Sequence, residues 1–145
     1  MSDDEIVYHG VSAILVNPQG KILLQQRDDR PDLLYPGYWT TFGGAIEDGE
    51  TPDEAMRREL LEEIELDLPM KLWKVYDEMV DLGGNLVPVR RYIFVGQIDQ
   101  PAESIVLNEG QALGYFGLDD LKNLKIGFGF EPLFREFFAV YKDLI

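Results

Sequence analysis

Gly44-Ala-Ile-Glu-Asp-Gly-Glu50-Thr-Pro-Asp-Glu-Ala-Met-Arg-Arg58-Glu59-Leu-Leu-Glu62-Glu63-Ile-Glu65-Leu66 is the stretch on which the reading of this chain turns. Thr51 is a good N-cap, Pro52 suits a first helical position, and Glu54 completes a Thr-x-x-Glu capping box, so a helix starts after Glu50. Met56, Leu60 and Ile64 recur every fourth residue and give that helix a buried side. Glu59, Glu62 and Glu63 then sit at i, i+3 and i+4, so three carboxylates share one face. Like charges at i,i+4 destabilise a helix by roughly 0.2–0.5 kcal/mol per pair, and the helix dipole disfavours anions toward the C-terminus. Arg57 and Arg58 are the nearby cations, neither central to the face, and no lysine occurs between Lys21 and Lys71. A hard divalent cation resolves the conflict: carboxylate ligands suit Mg²⁺, Mn²⁺ or Ca²⁺ better than zinc, and the calcium EF-hand pattern is missing. On spacing alone a solvated acidic face explains the run equally well.

Working outward, residues 11–16 and 21–26 are short apolar, β-branched runs joined by Asn17-Pro18-Gln19-Gly20, which predicts a hairpin. Residues 27–37 read as a polar loop, and Tyr38 to Phe42 as a short strand ended by Gly43-Gly44. Strands are predicted at about 71–81 and 86–98 around Gly83-Gly84-Asn85, and a last one over 111–118. Phe130, Phe134, Phe137, Phe138 and Tyr141 fall on one stripe of a C-terminal helix, with Pro132 in its first turn. That stripe is core packing and carries no chemistry. The expected class is α/β (α+β), a mixed β-sheet covered by helices, in one domain over residues 1–145.

Composition narrows the function classes. In 145 residues, 46% are hydrophobic and 28% charged, as in a folded globular chain. Thirteen basic against 27 acidic residues give a net charge of −14, which argues against nucleic-acid or anionic-membrane binding. Nine acids and two arginines between Glu47 and Glu65 carry a local net of −7, half the total. Cysteine is absent, removing thiolate metal sites and cysteine nucleophiles. The acidic N-terminus is unlike a signal peptide and no apolar run approaches the roughly 20 residues of a bilayer span, so a cytoplasmic location is expected.

Residues 44–66 strongly resemble the Nudix box, Gly-x5-Glu-x7-Arg-Glu-U-x-Glu-Glu-x-Gly-U with U aliphatic. Gly44, Glu50, Arg58, Glu59, Leu60, Glu62, Glu63 and Leu66 match eight of its nine specified positions. The departure is Glu65, where the pattern has glycine. Glu65 must accept positive φ at about 1–2 kcal/mol or let the helix run on toward Pro69, and a slightly longer helix or altered exit is expected. Arg27, Gly37 and Trp39 resemble the family's lead into the motif, with Phe42 where many members have proline; Asn108-Glu109-Gly110 resembles its segment supplying an extra glutamate.

The resemblance implies an α/β/α sandwich and hydrolysis of a phosphoanhydride in a nucleoside diphosphate linked to another moiety X, of the nucleotide-sugar or ADP-ribose type. It implies Mg²⁺ (or Mn²⁺) held by Glu59, Glu62 and Glu63, with the Gly44 carbonyl as a further ligand. Such an ion also removes the repulsion between a polyanionic substrate and a chain of charge −14. The expected catalytic set is Glu62, Glu63, Glu109 and Arg58: Glu109 as general base or additional ligand, Arg58 as an organiser pairing with Glu50. Arg27, Arg90 and Arg91 are candidates for the distal phosphate or X, but only one of Arg90 and Arg91 can face a given side of a strand, and Arg27 and Arg91 are the ones chosen. Tyr35, Trp39 and Phe116 are candidates for stacking on a base. The expected partner is a small nucleotide, with a homodimer among the assemblies the reading allows.

The alternatives are a nucleoside triphosphate pyrophosphohydrolase that sanitises the nucleotide pool, and a non-catalytic nucleotide sensor. Other chemistries are thin. His9 is the sole histidine, Gly20-Lys21 lacks the rest of a P-loop, and Gly127-Phe-Gly129 is a bare Gly-x-Gly.

Overall fold

The computed structural model describes residues 2–145. Seven strands form one mixed sheet: β1 (Tyr8–Val16), β2 (Ile22–Gln26), β3 (Trp39–Thr40), β4 (Phe42–Ala45), β5 (Met70–Leu82), β6 (Asn85–Gln97) and β7 (Ala112–Phe116). The helices are α1 (Pro52–Ile64) and α2 (Glu131–Leu144). Period-two alternation assigns them to opposite faces. Val11, Ala13 and Leu15 of β1 pack with Met56, Leu60 and Ile64 of α1. Ile14 and Val16 pack on the other side with Phe130, Phe134 and Phe137, the stripe of α2 and its entry. The arrangement is an α/β/α sandwich.

The site depends on how the sheet opens. β1 runs parallel to β6 along its whole length, Tyr8 opposite Val89 through Val16 opposite Gln97. The expected hairpin of β1 and β2 is paired only at its turn end, Val16 opposite Ile22. Beyond that the strands part: β4 takes β1 at Gly10–Ala13, while β3 and β7 take β2. The expected strand at 38–42 is broken at Thr41 into β3 and β4, and Gly43-Gly44 continue β4 instead of ending it. The 27–37 loop, the β5–β6 hairpin and the last strand lie as expected, and Gly83 and Gly84 both take the positive φ that a two-residue hairpin turn demands.

α1 starts as its sequence requires. Thr51 Oγ1 accepts from Glu54 N–H at 3.2 Å, and Glu54 Oε1 accepts from Thr51 N–H at 2.9 Å. Thr51→Ala is expected to cost about 1 kcal/mol in denaturant unfolding; an unchanged midpoint would show the cap to be redundant. The expected lengthening at Glu65 does not occur. α1 ends at Ile64 and Glu65 takes the left-handed conformation, φ 59° and ψ 32°, that the box reserves for glycine. Its strain is offset by hydrogen bonding, described below.

Candidate active site

The cavity opens where β1 and β2 part. About 270 Å³ in volume, it is walled by strands β1, β2 and β4, by Glu63, and by the loop residues Glu109, Phe128 and Phe130. Glu63 comes up from α1 beneath β4 and is only 2% exposed. Its Oε2 accepts from Gly43 N–H at 3.0 Å and its Oε1 from Gln25 Nε2 at 3.2 Å; the same Gln25 amide donates to Thr41 O at 3.1 Å. Burial, then the charges of Glu109 and Glu59, push the Glu63 carboxyl up to about 9 against the opposing pull of the Gln25 and Gly43 hydrogen bonds. Glu59 is also raised, again chiefly by burial.

Both glycines of β4 are there for close approach. A Cβ at Gly43, whose φ is 156°, would lie 1.9 Å from Val11 O of the paired strand. One at Gly44 would lie 2.5 Å from Glu59 Oε1. Gly44 thus leaves the gap into which Glu59 fits.

The three carboxylates are graded in depth instead of forming the even face expected. Glu63 is sunk, Glu59 is 13% exposed at its side chain and Glu62 58%. At 100° per residue, Glu63 leans toward the Leu60–Ile64 side that packs on the sheet, while Glu62 turns outward. The cation expected to stand aside also reaches the face: Arg58 Nη1 donates to Glu59 Oε1 at 2.9 Å and Glu62 Oε2 at 3.2 Å. Its main partnership is the one with Glu50, Nε to Oε2 at 2.7 Å and Nη2 to Oε1 at 2.9 Å, with Ala45 O at 3.0 Å. That bidentate pair clamps the loop to the helix and holds Glu50 below its ordinary carboxyl range.

Glu109 is brought in by its neighbour. Asn108 N–H donates to Glu63 O at 2.8 Å, and Asn108 Nδ2 donates to Glu62 O at 2.9 Å and Glu65 Oε2 at 3.0 Å. Asn108 therefore caps the last turn of α1, and the non-glycine Glu65 holds the capping amide. Glu109 lines the cavity with its charge felt at Glu63 and Glu59.

Two arginines line the same cavity. Arg27 donates through Nε to Leu34 O at 2.7 Å and lies 5.1 Å from the Phe128 ring centre. Arg91, 8% exposed, lies 5.8 Å and 5.3 Å from the ring centres of Phe128 and Phe130, its Nε buried without a hydrogen bond. Arg90, on the other side of β6, is committed to Asp77 at 2.7 and 3.0 Å and to Asp3. Trp39 is not at the cavity. It packs edge-on to Phe116, ring centres 4.8 Å apart, against the α2-side core, so neither is placed to stack on a base. Tyr35 packs on Phe128 outside this cavity.

Sequence reading missed Gln25, Asn108, Phe128 and Tyr8, which also lines the cavity. Gln25 looked like a strand end. Phe128 sat inside the dismissed Gly-x-Gly, where it takes a left-handed φ of 61°. The available signal was that Gln25 continues the apolar run Ile22-Leu23-Leu24 of β2, next to Gln26.

No group of three or more His, Cys, Asp or Glu side chains among the described residues is gathered into a ready ion cage. Here the carboxylates are held by Arg58, Gln25 and Gly43. The donor chemistry nonetheless fits a hard divalent ion: the acids Glu59, Glu62 and Glu63 are oxygen donors, no histidine or cysteine among the described residues lines the cavity, and the gap at Gly44 lets Glu59 lie against β4. Among the described residues no helix is long and apolar enough to cross a membrane.

Comparison with known proteins gives a consistent picture. The family profile described as NUDIX domain matches residues 9–137. The RNA pyrophosphohydrolase of Gluconacetobacter diazotrophicus is 40% identical over 83 residues, 52% of this chain and 50% of that one. The nucleoside triphosphatase NudI of Escherichia coli is 39% identical over 54 residues, 37% of each chain. The chain thus spans half or less of the length of these curated relatives. Among solved structures, the E. coli dihydroneopterin triphosphate pyrophosphohydrolase superposes with a TM-score of 0.72 at 17% identity, covering 92% of this chain and 98% of that one. The NUDIX domain of Shewanella oneidensis NrtR, complexed with ADP ribose, gives 0.72 at 18% identity, covering 95% and 88%. At those identities the superpositions show a shared fold.

Proposed function

The chain belongs to the Nudix family, and from that premise we propose that it hydrolyses the phosphoanhydride bond of a nucleoside diphosphate linked to a second moiety X, of the nucleotide-sugar or ADP-ribose type. The family generally uses divalent metals, and the reading assigns Mg²⁺ or Mn²⁺ to this chain. The observation that carries it is the lining of one cavity, which brings the acids Glu63 and Glu109 together with the cations Arg27 and Arg91. A pyrophosphate link laid across it places its anionic oxygens between cation-binding carboxylates and guanidinium groups.

Glu59, Glu62 and Glu63 are the side chains to hold the ion, with the carbonyl of Gly44, whose Cα lies against Glu59, as a further ligand. A divalent ion supplies activation of water and charge stabilisation on the phosphoryl oxygens. The residues do the rest. Glu109, on its tethered loop, is the group to take the proton from water. Arg58 positions Glu59 and Glu62 and keeps the Glu50 loop in place. Arg27 and Arg91 orient the far end of the substrate.

The experiment is hydrolysis of a panel of nucleotide sugars, ADP-ribose, dinucleoside polyphosphates and nucleoside triphosphates with Mg²⁺, with products identified. Two monophosphorylated halves are expected. Chelation should reduce the rate to background, and Mg²⁺ or Mn²⁺ should restore it. A rate indifferent to chelation would overturn the metal assignment. Release of pyrophosphate from a triphosphate would assign the chain to the pool-sanitising class, and tight binding without turnover to a sensor.

A further inference from the structure

Beyond Arg91 lies a second and larger hollow. A groove of about 550 Å³ runs between the β5–β6 hairpin and the 34–35 and 128–129 loops, and shares Tyr8, Arg91 and Phe128 with the cavity just described. Its walls are mostly apolar: Leu34, Tyr35, Met79, Leu82, Val89 and Phe128. Leu34, Tyr35, Met79 and Leu82 are among the exposed large hydrophobic side chains, an arrangement that water disfavours. Tyr35 and Phe128, ring centres 4.8 Å apart, both hold left-handed backbone conformations, φ 52° and 61°. Two non-glycine residues strained side by side on one wall point to a shaped ligand surface.

The polar groups in the groove are few and specific. Asp81 is engaged, its Oδ1 accepting Gly84 N–H at 2.9 Å in the hairpin turn. Glu78 stands beside Arg91, Nε to Oε1 at 3.4 Å, too distant for a good hydrogen bond. Arg91 Nε makes no hydrogen bond among the described residues, although the residue is only 8% exposed and lies where the two hollows meet. A donor-rich guanidinium thus stands directly beside a carboxylate that only accepts. Two acids make the groove unsuited to a phosphate, which belongs in the smaller cavity.

We propose that this groove holds the base of the nucleotide, and that the base carries a guanine-type edge: a keto oxygen, then a ring N–H, then an exocyclic amino group. Guanine and the 2-amino-4-oxopteridines share that edge. Glu78 accepts from the two adjacent N–H groups, Arg91 donates to the keto oxygen, and Tyr35 and Phe128 cover the ring. Adenine and cytosine turn a ring acceptor toward Glu78, and uracil and hypoxanthine offer it one donor where it takes two. The proposal rests on the reading of the chain as a nucleotide hydrolase but not on the identity of X.

The test is calorimetric binding of GMP, IMP and AMP to the whole chain and to Glu78→Gln, alongside kcat/KM for GTP, ITP and ATP and for GDP-mannose and ADP-mannose. GMP should bind the native chain at least about 10-fold more tightly than IMP or AMP, with the same order in each kinetic series. Glu78→Gln, on a partly exposed hairpin, should bring GMP down to the level of IMP and leave AMP within about twofold. AMP binding as tightly as GMP would overturn the proposal, as would a variant that weakens all three alike. Displacement of GMP by a free 2-amino-4-oxopteridine separates the two sources of the edge: strong displacement assigns a pterin, weak displacement a guanine nucleotide, and either retains the edge. Monophosphate binding requires no turnover. Guanine-selective binding without hydrolysis therefore refutes the enzymatic reading alone, and base-blind binding with brisk hydrolysis refutes this one alone.

Discussion

Glu63→Gln is expected to lower kcat by at least about 100-fold in a protein that still folds. The side chains are nearly isosteric: the amide oxygen can keep the Gly43 N–H, and rotating the Gln25 amide toward the new NH₂ sacrifices only its bond to Thr41 O, a cost of about 1–3 kcal/mol. What is lost is the anion. Near-native turnover would reject Glu63 as a ligand. The acid's environment adds a dependence on pH. Burial raises the Glu63 carboxyl from its ordinary 4.5 to about 9, so the folded chain retains a proton there that the unfolded chain has released. This contribution to stability is fully present below about pH 4.5 and is lost as pH rises to about 9. The metal-free native chain should therefore show a falling contribution to Tm across that window, and Glu63→Gln, with nothing to titrate there, a flatter profile. An ion bound by the ionised carboxylate should raise Tm more at pH 8.5 than at pH 6. Parallel pH profiles for the two proteins would contradict the buried, protonated state.

Gly43→Ala is the second large effect, and it acts on the fold. The new Cβ would meet Val11 O at 1.9 Å and Ser12 Cα at 3.0 Å, both backbone atoms of the paired strand, with nothing flexible to give way. Relief requires β4 to leave β1, which moves the Gly43 N–H from Glu63 and opens the core over Phe42. A loss of at least about 3 kcal/mol is expected in urea unfolding, with most activity gone at 37 °C. A stable, active alanine variant would mean that β4 is held by something other than its pairing with β1. Gly44→Ala makes a useful contrast. Its Cβ meets the end of a side chain, Glu59 Oε1, so the chain should fold while that carboxylate is displaced.

Much of this was legible in the order of residues because it is local. The Thr51-Pro52-Glu54 start of α1, the Met56-Leu60-Ile64 side, the Gly83-Gly84 turn and the phenylalanine stripe of α2 all follow from short-range periodicity and capping. The pairing of Arg58 with Glu50 was legible only through the resemblance of the box. Long-range strand pairing was not legible. That β1 and β2 would part after one pair, leaving β4 to fill the gap through two glycines, depends on strands distant in sequence. The same reason hid Gln25, whose partners are 16 and 38 residues away, and removed Trp39, whose side of the strand was fixed by pairing with β2. Glu65 was misjudged because the cost of its left-handed backbone was visible in sequence while the compensating Asn108, 43 residues on, was not.

The exit of α1 binds two distant parts of the chain into one body. With Asn108 fastened to Glu62, Glu63 and Glu65 together, the segment carrying Glu109 cannot swing away as a hinged flap without first stripping the end of the helix. Whatever spacing Glu109 keeps from Glu63 is consequently built into the scaffold, and a visiting molecule finds those two acids already set. Leu34, Tyr35 and Phe128 wall the neighbouring groove, so differences in what this protein accepts should be decided there and not at the acids.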